Sequence, residues 1–235
     1  VVRAENRRMI ALLKPPLEFV ERVEPAADTA IVMVDCVPAG TNHLLGNAAA
    51  SIVAVIDHHP PLPRARVRVK FRDVRPRRIA TSAIVGQYLR TANVEPSADL
   101  ATALLYGIRT DAVGRAPMAR ADHAVVSWLG QRVDFNKLTA IEQAPLPHAY
   151  FGDLLLALES AMIYGRSALC FLPRAHGAEI VGEVADLLIR GEGIDRVLCA
   201  AGVGNEIPIS VRTRGSSTDD ASAMIATVVD GLGFG

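Results

Sequence analysis

Two apolar runs in this chain end in the same way. Thr29-Ala30-Ile31-Val32-Met33-Val34 closes on Asp35, and Val53-Ala54-Val55-Ile56 closes on Asp57, followed by His58, His59 and Pro60. Short unbroken runs of this kind, rich in Val and Ile, predict strands buried on both faces, as in a parallel sheet. Between residues 64 and 78 the pattern alternates: Val67, Val69 and Phe71 fall on one face and Arg66, Arg68 and Lys70 on the other. That is the period of a half-buried edge strand with a cationic outer face, solvated and screened. Pro38, Gly40 and Asn42 supply loop chemistry between the first two runs.

Helical spacing takes over in the remaining segments. It predicts a short helix over residues 5–13, ended by Pro15-Pro16, and a second from Ala80 through Leu89 with Thr81 or Ser82 as its N-cap. A third covers 97–106, its stripe made by Leu100, Ala101, Leu104 and Leu105; Gly107 then releases the helix and Asp111 arrives just past it. Further helices are predicted over 120–129, 134–141 and 150–162. His123 and His148 are isolated on these helices and are expected to be ordinary surface or interhelical residues. Beyond Gly165 the order becomes strand 168–172, helix 178–189, strand 196–201, strand 207–213 and helix 219–229. The fold class expected is α/β: a parallel-sheet domain with flanking helices over 1–149, a connecting helix over 150–164, and a smaller α/β domain over 165–235.

Composition narrows the partners. Lys plus Arg and Asp plus Glu number 25 each in the 235 residues, so no global field draws the protein to a polyanion or a lipid surface. An extended basic groove for a processive nuclease is not encoded. Cys36, Cys170 and Cys199 sit in apolar runs without metal-type spacing, as expected of reduced thiols in a cytoplasmic protein. No apolar run reaches membrane-spanning length, so no membrane partner is expected.

The candidate chemistry gathers at strand ends, where open α/β sheets bind ligands. Asp35 and Asp57 would each deliver an acid to the same sheet edge, and crowded carboxylates repel unless a cation lies between them. Adjacent His58 and His59 point in opposite directions, so one imidazole can hold a metal and the other a phosphate. Free N–H groups at the helix start near Thr81 and Ser82 suit a phosphate. Ser210, Arg212 and Arg214 share one face of the last strand, and paired guanidinium forks are suited to phosphate or carboxylate.

Taken together, Asp35 after the first run, Asp57-His58-His59, Ala80-Thr81-Ser82-Ala83, Gly107-Ile108-Arg109-Thr110-Asp111 and Ser210-Val211-Arg212 resemble the motifs of the DHH/DHHA1 phosphoesterases. That family includes oligoribonucleases, 3′-phosphoadenosine phosphate phosphatases and exopolyphosphatase-like members. The resemblance implies two Mn²⁺ or Mg²⁺ ions and hydrolysis of a small phosphoester such as a short oligoribonucleotide or 3′-phosphoadenosine phosphate. It implies that Asp35 bridges the metals, that His58 and Asp111 bind one of them, and that Asp57 orients His58. His59, Thr81, Ser82, Ser210 and Arg212 would meet the phosphate, with Asp57 and His59 as the catalytic pair. A homodimer is a further expectation.

Two family motifs are not found in the sequence: the His-Asn-Pro-Asp-x-Asp segment before Glu5 and the Gly-Gly-His segment after Gly235. The expectation is that a longer native chain supplies them, because Ala4-Glu5-Asn6-Arg7 resembles the family's interior. Exopolyphosphatase and cyclic-dinucleotide phosphodiesterase are alternative activities, and a non-catalytic nucleotide-binding member of the family is the alternative class. A Rossmann dinucleotide site is not supported, since neither Gly202-x-Gly204 nor Gly231-x-Gly233-x-Gly235 has the six-residue fingerprint between a strand and a helix.

Overall fold

The computed structural model describes residues 3–20, 23–26, 28–36, 38, 43–45, 51–60, 69–112, 118–214, 221, 224 and 225. Two compact units make up the chain, one of Arg8–Gln143 and one of Val1–Arg7 with Ala144–Gly235. The expected strand positions Arg66, Val67 and Arg68, loop residues Gly40 and Asn42, and most of the expected helix over 219–229 lie outside the described residues.

The first unit is built on a three-stranded parallel sheet in the order β1 (Ala30–Val34), β2 (Ser51–Asp57), β3 (Phe71–Val74). Pairing of Val34 with Ile56, and of Asp57 with Val74, brings the carboxyl ends of all three strands to one edge. β2 is the central strand and its last residue is wholly buried. The expectation of two fully buried strands is corrected in both: in β2 only Val55 and Asp57 are buried, with Ile52, Val53, Ala54 and Ile56 partly so. β1 is an edge strand in the described sheet, with Met33 buried and both Val32 and Val34 exposed.

Four helices of this unit are α2 (Thr81–Thr91), α3 (Ala98–Ala112), α4 (Arg120–Gly130) and α5 (Phe135–Glu142). α1 (Ala4–Leu13) contributes Leu13 to a cluster with Leu105, Tyr106, Leu138 and Ile141. Small residues let α2, α3 and α4 approach closely: Ala80, Ala83 and Ala101 share a core with Ile108, Val125 and Leu129. A Cβ at Gly86 would stand 2.6 Å from Val125 Cγ1, and one at Gly107 would collide with Ser82 Oγ. Gly107 therefore does not release α3, which runs on to Ala112. Its missing side chain serves the α2–α3 contact, and Asp111 sits in the last turn of the helix. α5 starts as its sequence demands, with Asp134 accepting the Lys137 N–H at 3.0 Å.

The second unit comprises α6 (His148–Ser160), β4 (Met162–Tyr164), β5 (Ser167–Leu172), α7 (Glu179–Leu188), β6 (Arg196–Ala201) and β7 (Ile209–Thr213). Its sheet has the order β4-β5-β6-β7, parallel between β5 and β6 and antiparallel at both flanks. Ala168, Cys170 and Leu172 alternate inward from β5 to meet Val197, Cys199 and Ala201 and the apolar face of α7. All three cysteines are free thiols. The helix expected over 150–162 starts two residues earlier and stops at Ser160, because Met162–Tyr164 forms an antiparallel hairpin strand turned at Gly165, which has φ +58°. No described helix is long and apolar enough to cross a membrane.

Candidate metal centre

Asp35 leaves β1 in the left-handed region at φ +62°, which an Asp tolerates better than most side chains, while its N–H still donates to the Ile56 carbonyl at 3.0 Å. The turn lifts its carboxylate off the sheet edge. There Oδ1 accepts the Thr81 hydroxyl at 2.7 Å. Thr81 is thus not a helix cap. It is the first residue of α2, Ala80 holds the cap position without a side-chain bond, and the threonine hydroxyl is committed to Asp35.

Asp57 is wholly buried, and its Oδ1 accepts three bonds: the backbone N–H of His58 at 2.7 Å, that of His59 at 3.1 Å, and His59 Nδ1 at 2.8 Å. Three donors on one oxygen hold the turn out of β2 rigidly. The ring that Asp57 orients is therefore that of His59 and not that of His58, which corrects the expectation. A carboxylate can only accept from Nδ1–H here, so the other nitrogen of His59, Nε2, carries the lone pair on a half-exposed ring.

His58 is buried, and its ring is directed by the main chain. Nδ1 lies 3.4 Å from the Arg78 carbonyl, which has no proton to give, so Nδ1 bears the hydrogen and Nε2 presents its lone pair on the other side. That side faces two acids. Nε2 stands 3.6 Å from Asp35 Oδ1 and 3.6 Å from Asp111 Oδ2. Both distances exceed a hydrogen bond. They are close to the spacing of donors that share one cation at about 2.1 Å, roughly 3.0–3.4 Å between neighbouring ligand atoms. Asp35, His58 and His59 also offer one donor each within 4.8 Å of one another. The donor chemistry, carboxylate oxygen with neutral imidazole nitrogen, fits a divalent metal ion.

A cleft of about 290 Å³ opens beside this cluster, lined by Asp35, Thr81, Ser82, Gly107, Thr110 and Asp111 among others. The first turn of α2 ends in it, a favourable place for an anion. Next to Asp35, burial first and then the charge of Asp57 push the Cys36 thiol above its ordinary value of 9.0. It is held as a neutral thiol at physiological pH.

Sequence reading finds Asp35, Asp57, His58, His59, Thr81, Ser82 and Asp111, and all seven lie in the first unit; Asp35, Thr81, Ser82 and Asp111 line the cleft, while His58 and His59 approach it through Asp35. Ser210 and Arg212 lie in the second unit on β7, bonded to each other at 2.8 Å, with Arg212 Nε donating to Asp186 Oδ1 at 2.5 Å. What sequence reading misses is the support of His58. Arg78 sits in the basic run Arg75-Pro76-Arg77-Arg78, which looks like solvated surface. Yet its side chain is 9% exposed and is bound by the wholly buried Asp122. No local pattern pairs residues 44 positions apart.

Comparison with known proteins agrees with this architecture. No family model matches the sequence. The uncharacterized protein MJ1633 of Methanocaldococcus jannaschii is 31% identical over 212 residues, which is 89% of this chain but 43% of that protein. Among solved structures, an exopolyphosphatase-related protein from Bacteroides fragilis superposes with a TM-score of 0.59 at 16% identity, over 74% of this chain and 53% of its own. A putative family II inorganic pyrophosphatase from Methanococcus jannaschii gives 0.53 at 14% identity, over 92% and 84%. The chain has the α/β fold of these proteins.

Proposed function

We propose that this chain carries the catalytic site of a metal-dependent phosphoesterase of the DHH/DHHA1 type, acting on a small phosphorylated substrate in a reducing compartment such as the cytoplasm. The observation that carries the proposal is His58: a buried imidazole with Nδ1 on a backbone carbonyl and Nε2 equidistant, at 3.6 Å, from two carboxylates. Asp35, His58 and Asp111 would hold a divalent ion. When bound, such an ion supplies a nucleophilic hydroxide at neutral pH and neutralises phosphate charge.

The chain's own residues do the rest. Thr81 fixes the rotamer of Asp35, so its second oxygen keeps one direction. Asp57 holds His59 with Nε2 outward, where it can bind a phosphate oxygen when protonated or take a proton when neutral. The first-turn amides of α2 and the Ser82 hydroxyl offer donors to the same phosphate. In the second unit, Arg212, its fork set by Asp186 and Ser210, is proposed as an anion-binding residue of that unit.

Short oligoribonucleotides and 3′-phosphoadenosine phosphate are the substrates this reading favours, given the cleft's size and the absence of net charge. A second reading, cleavage of a phosphoanhydride such as pyrophosphate or polyphosphate, is favoured by the names of the two structural neighbours. The test is hydrolysis in Mn²⁺ by the full-length protein, read as mononucleotide release from short oligoribonucleotides and as phosphate release from 3′-phosphoadenosine phosphate, pyrophosphate and polyphosphate. Turnover of the nucleotide substrates above the anhydrides supports the first reading, the reverse order supports the second, and no release from any contradicts both.

A further inference from the structure

The turn that carries Arg78 is built more heavily than a surface turn requires. Arg78 N–H donates to the Arg75 carbonyl at 2.9 Å, and Arg75 N–H donates to the Asp57 carbonyl at 2.9 Å. This turn therefore touches the end of β2 through Arg75 and the His58 ring through Arg78. Both of its guanidinium groups are pinned. Arg75 is held by both oxygens of Asp73 at 2.6 Å, and Arg78 by Asp122 Oδ1 at 2.5 Å and the Ala83 carbonyl at 3.1 Å. Gln87 Oε1 accepts from both arginines, and Asp122 Oδ2 also takes the Ile79 N–H at 3.2 Å.

A buried ion pair is a poor way to gain stability, because desolvating both charges consumes most of what their attraction returns. Such a pair is well suited to fixing a geometry. We propose that Asp122 and Gln87, acting through Arg78, are positioning residues that set the tautomer and aim of His58. The inference rests on the phosphoesterase reading for its purpose but not for its test. If the Arg78 carbonyl moves, Nδ1–H loses its acceptor, and Nε2 no longer holds the lone pair aimed at Asp35 and Asp111.

The test uses metal-free protein with ¹⁵N-labelled histidine, at a pH where the imidazoles are neutral. His58 is expected as the Nδ1–H tautomer in the wild type. Arg78→Lys keeps the carbonyl and the charge but loses the fork, and Asp122→Asn turns an amide donor toward either the Arg78 guanidinium or the Ile79 N–H, both of them donors. Each folded variant is expected to show a mixed His58 tautomer and Mn²⁺ affinity about tenfold weaker by calorimetry, the lower end for outer-shell changes. Circular dichroism reports folding in parallel. An Nε2–H tautomer in the wild type overturns the proposal, and so does a folded variant that keeps both the wild-type tautomer and the wild-type Mn²⁺ affinity. Should neither variant fold, the wild-type spectrum alone decides. A wild type that binds no Mn²⁺ removes the metal reading while leaving the tautomer result to decide this one.

Discussion

His58 and His59 are neighbours with different supports. One is aimed by a backbone carbonyl 20 positions downstream and the other by the carboxylate of Asp57. That division of labour needs a stiff surrounding, and the Asp73, Arg75 and Tyr88 cluster beside it makes a pH prediction. The Arg75 hydrogen bonds hold the Asp73 carboxyl below its ordinary value of 3.8. The folded state therefore releases this proton more readily than the unfolded one. Its stabilisation is complete above the unfolded value and is lost as pH falls through the lower folded value. Tyr88 has the opposite sign. Burial first, then its bond to Asp73, push the phenol up to about 12. This contribution is full below the unfolded value of 10.0 and disappears as pH rises toward about 12. Tyrosinate absorbance should thus include an ionisation near 12 that Tyr88→Phe removes, and Asp73→Asn should flatten the loss of stability on acidification. A Tyr88 that ionises at its ordinary value of 10.0 would contradict the arrangement.

At the scale of elements, the site depends on how closely α2 and α3 approach, since α2 brings Thr81 and α3 brings Asp111. Gly107 is a point of close contact, where an added side-chain carbon would run into Ser82 Oγ. Gly107→Ala gains helix propensity of about 1 kcal/mol but must push Ser82 aside, at an overpacking cost of about 1–3 kcal/mol. The expected outcome is a lower Tm together with weaker substrate binding, because Ser82 lines the cleft. A variant with raised Tm and unchanged KM would show that α2 and α3 have room to spare. Periodicity predicts both helices well, since Ala101, Leu104, Leu105 and Ala83 mark their inner faces. What periodicity cannot give is the helix end: a Gly in a helix signals either termination or close approach, and only the neighbour decides.

For the whole molecule, the legible part of the site is the part fixed by strand ends. An apolar run that stops at an acid places that acid on the sheet edge, so Asp35 and Asp57 follow from pattern alone. Asp111 is placed by its helix register, and the motif resemblance rather than spacing singles it out. Arg78, Gln87 and Asp122 are illegible because their pairing is made by tertiary contact between a turn and two helices. The hairpin strand β4 is likewise hidden, its three residues continuing the apolar run of α6 with only Gly165 to mark the turn. The chain spans 43% of the length of the curated relative it matches, and the residues gathered around His58 lie within it. The most direct measurement is calorimetric titration of Mn²⁺ into the wild type, Asp35→Ala and His59→Ala. The metal assignment predicts saturable binding in the wild type, a loss of at least about tenfold in affinity in Asp35→Ala, and affinity close to wild type in His59→Ala, whose proposed role is toward phosphate. Equal Mn²⁺ affinity in the wild type and Asp35→Ala would contradict it.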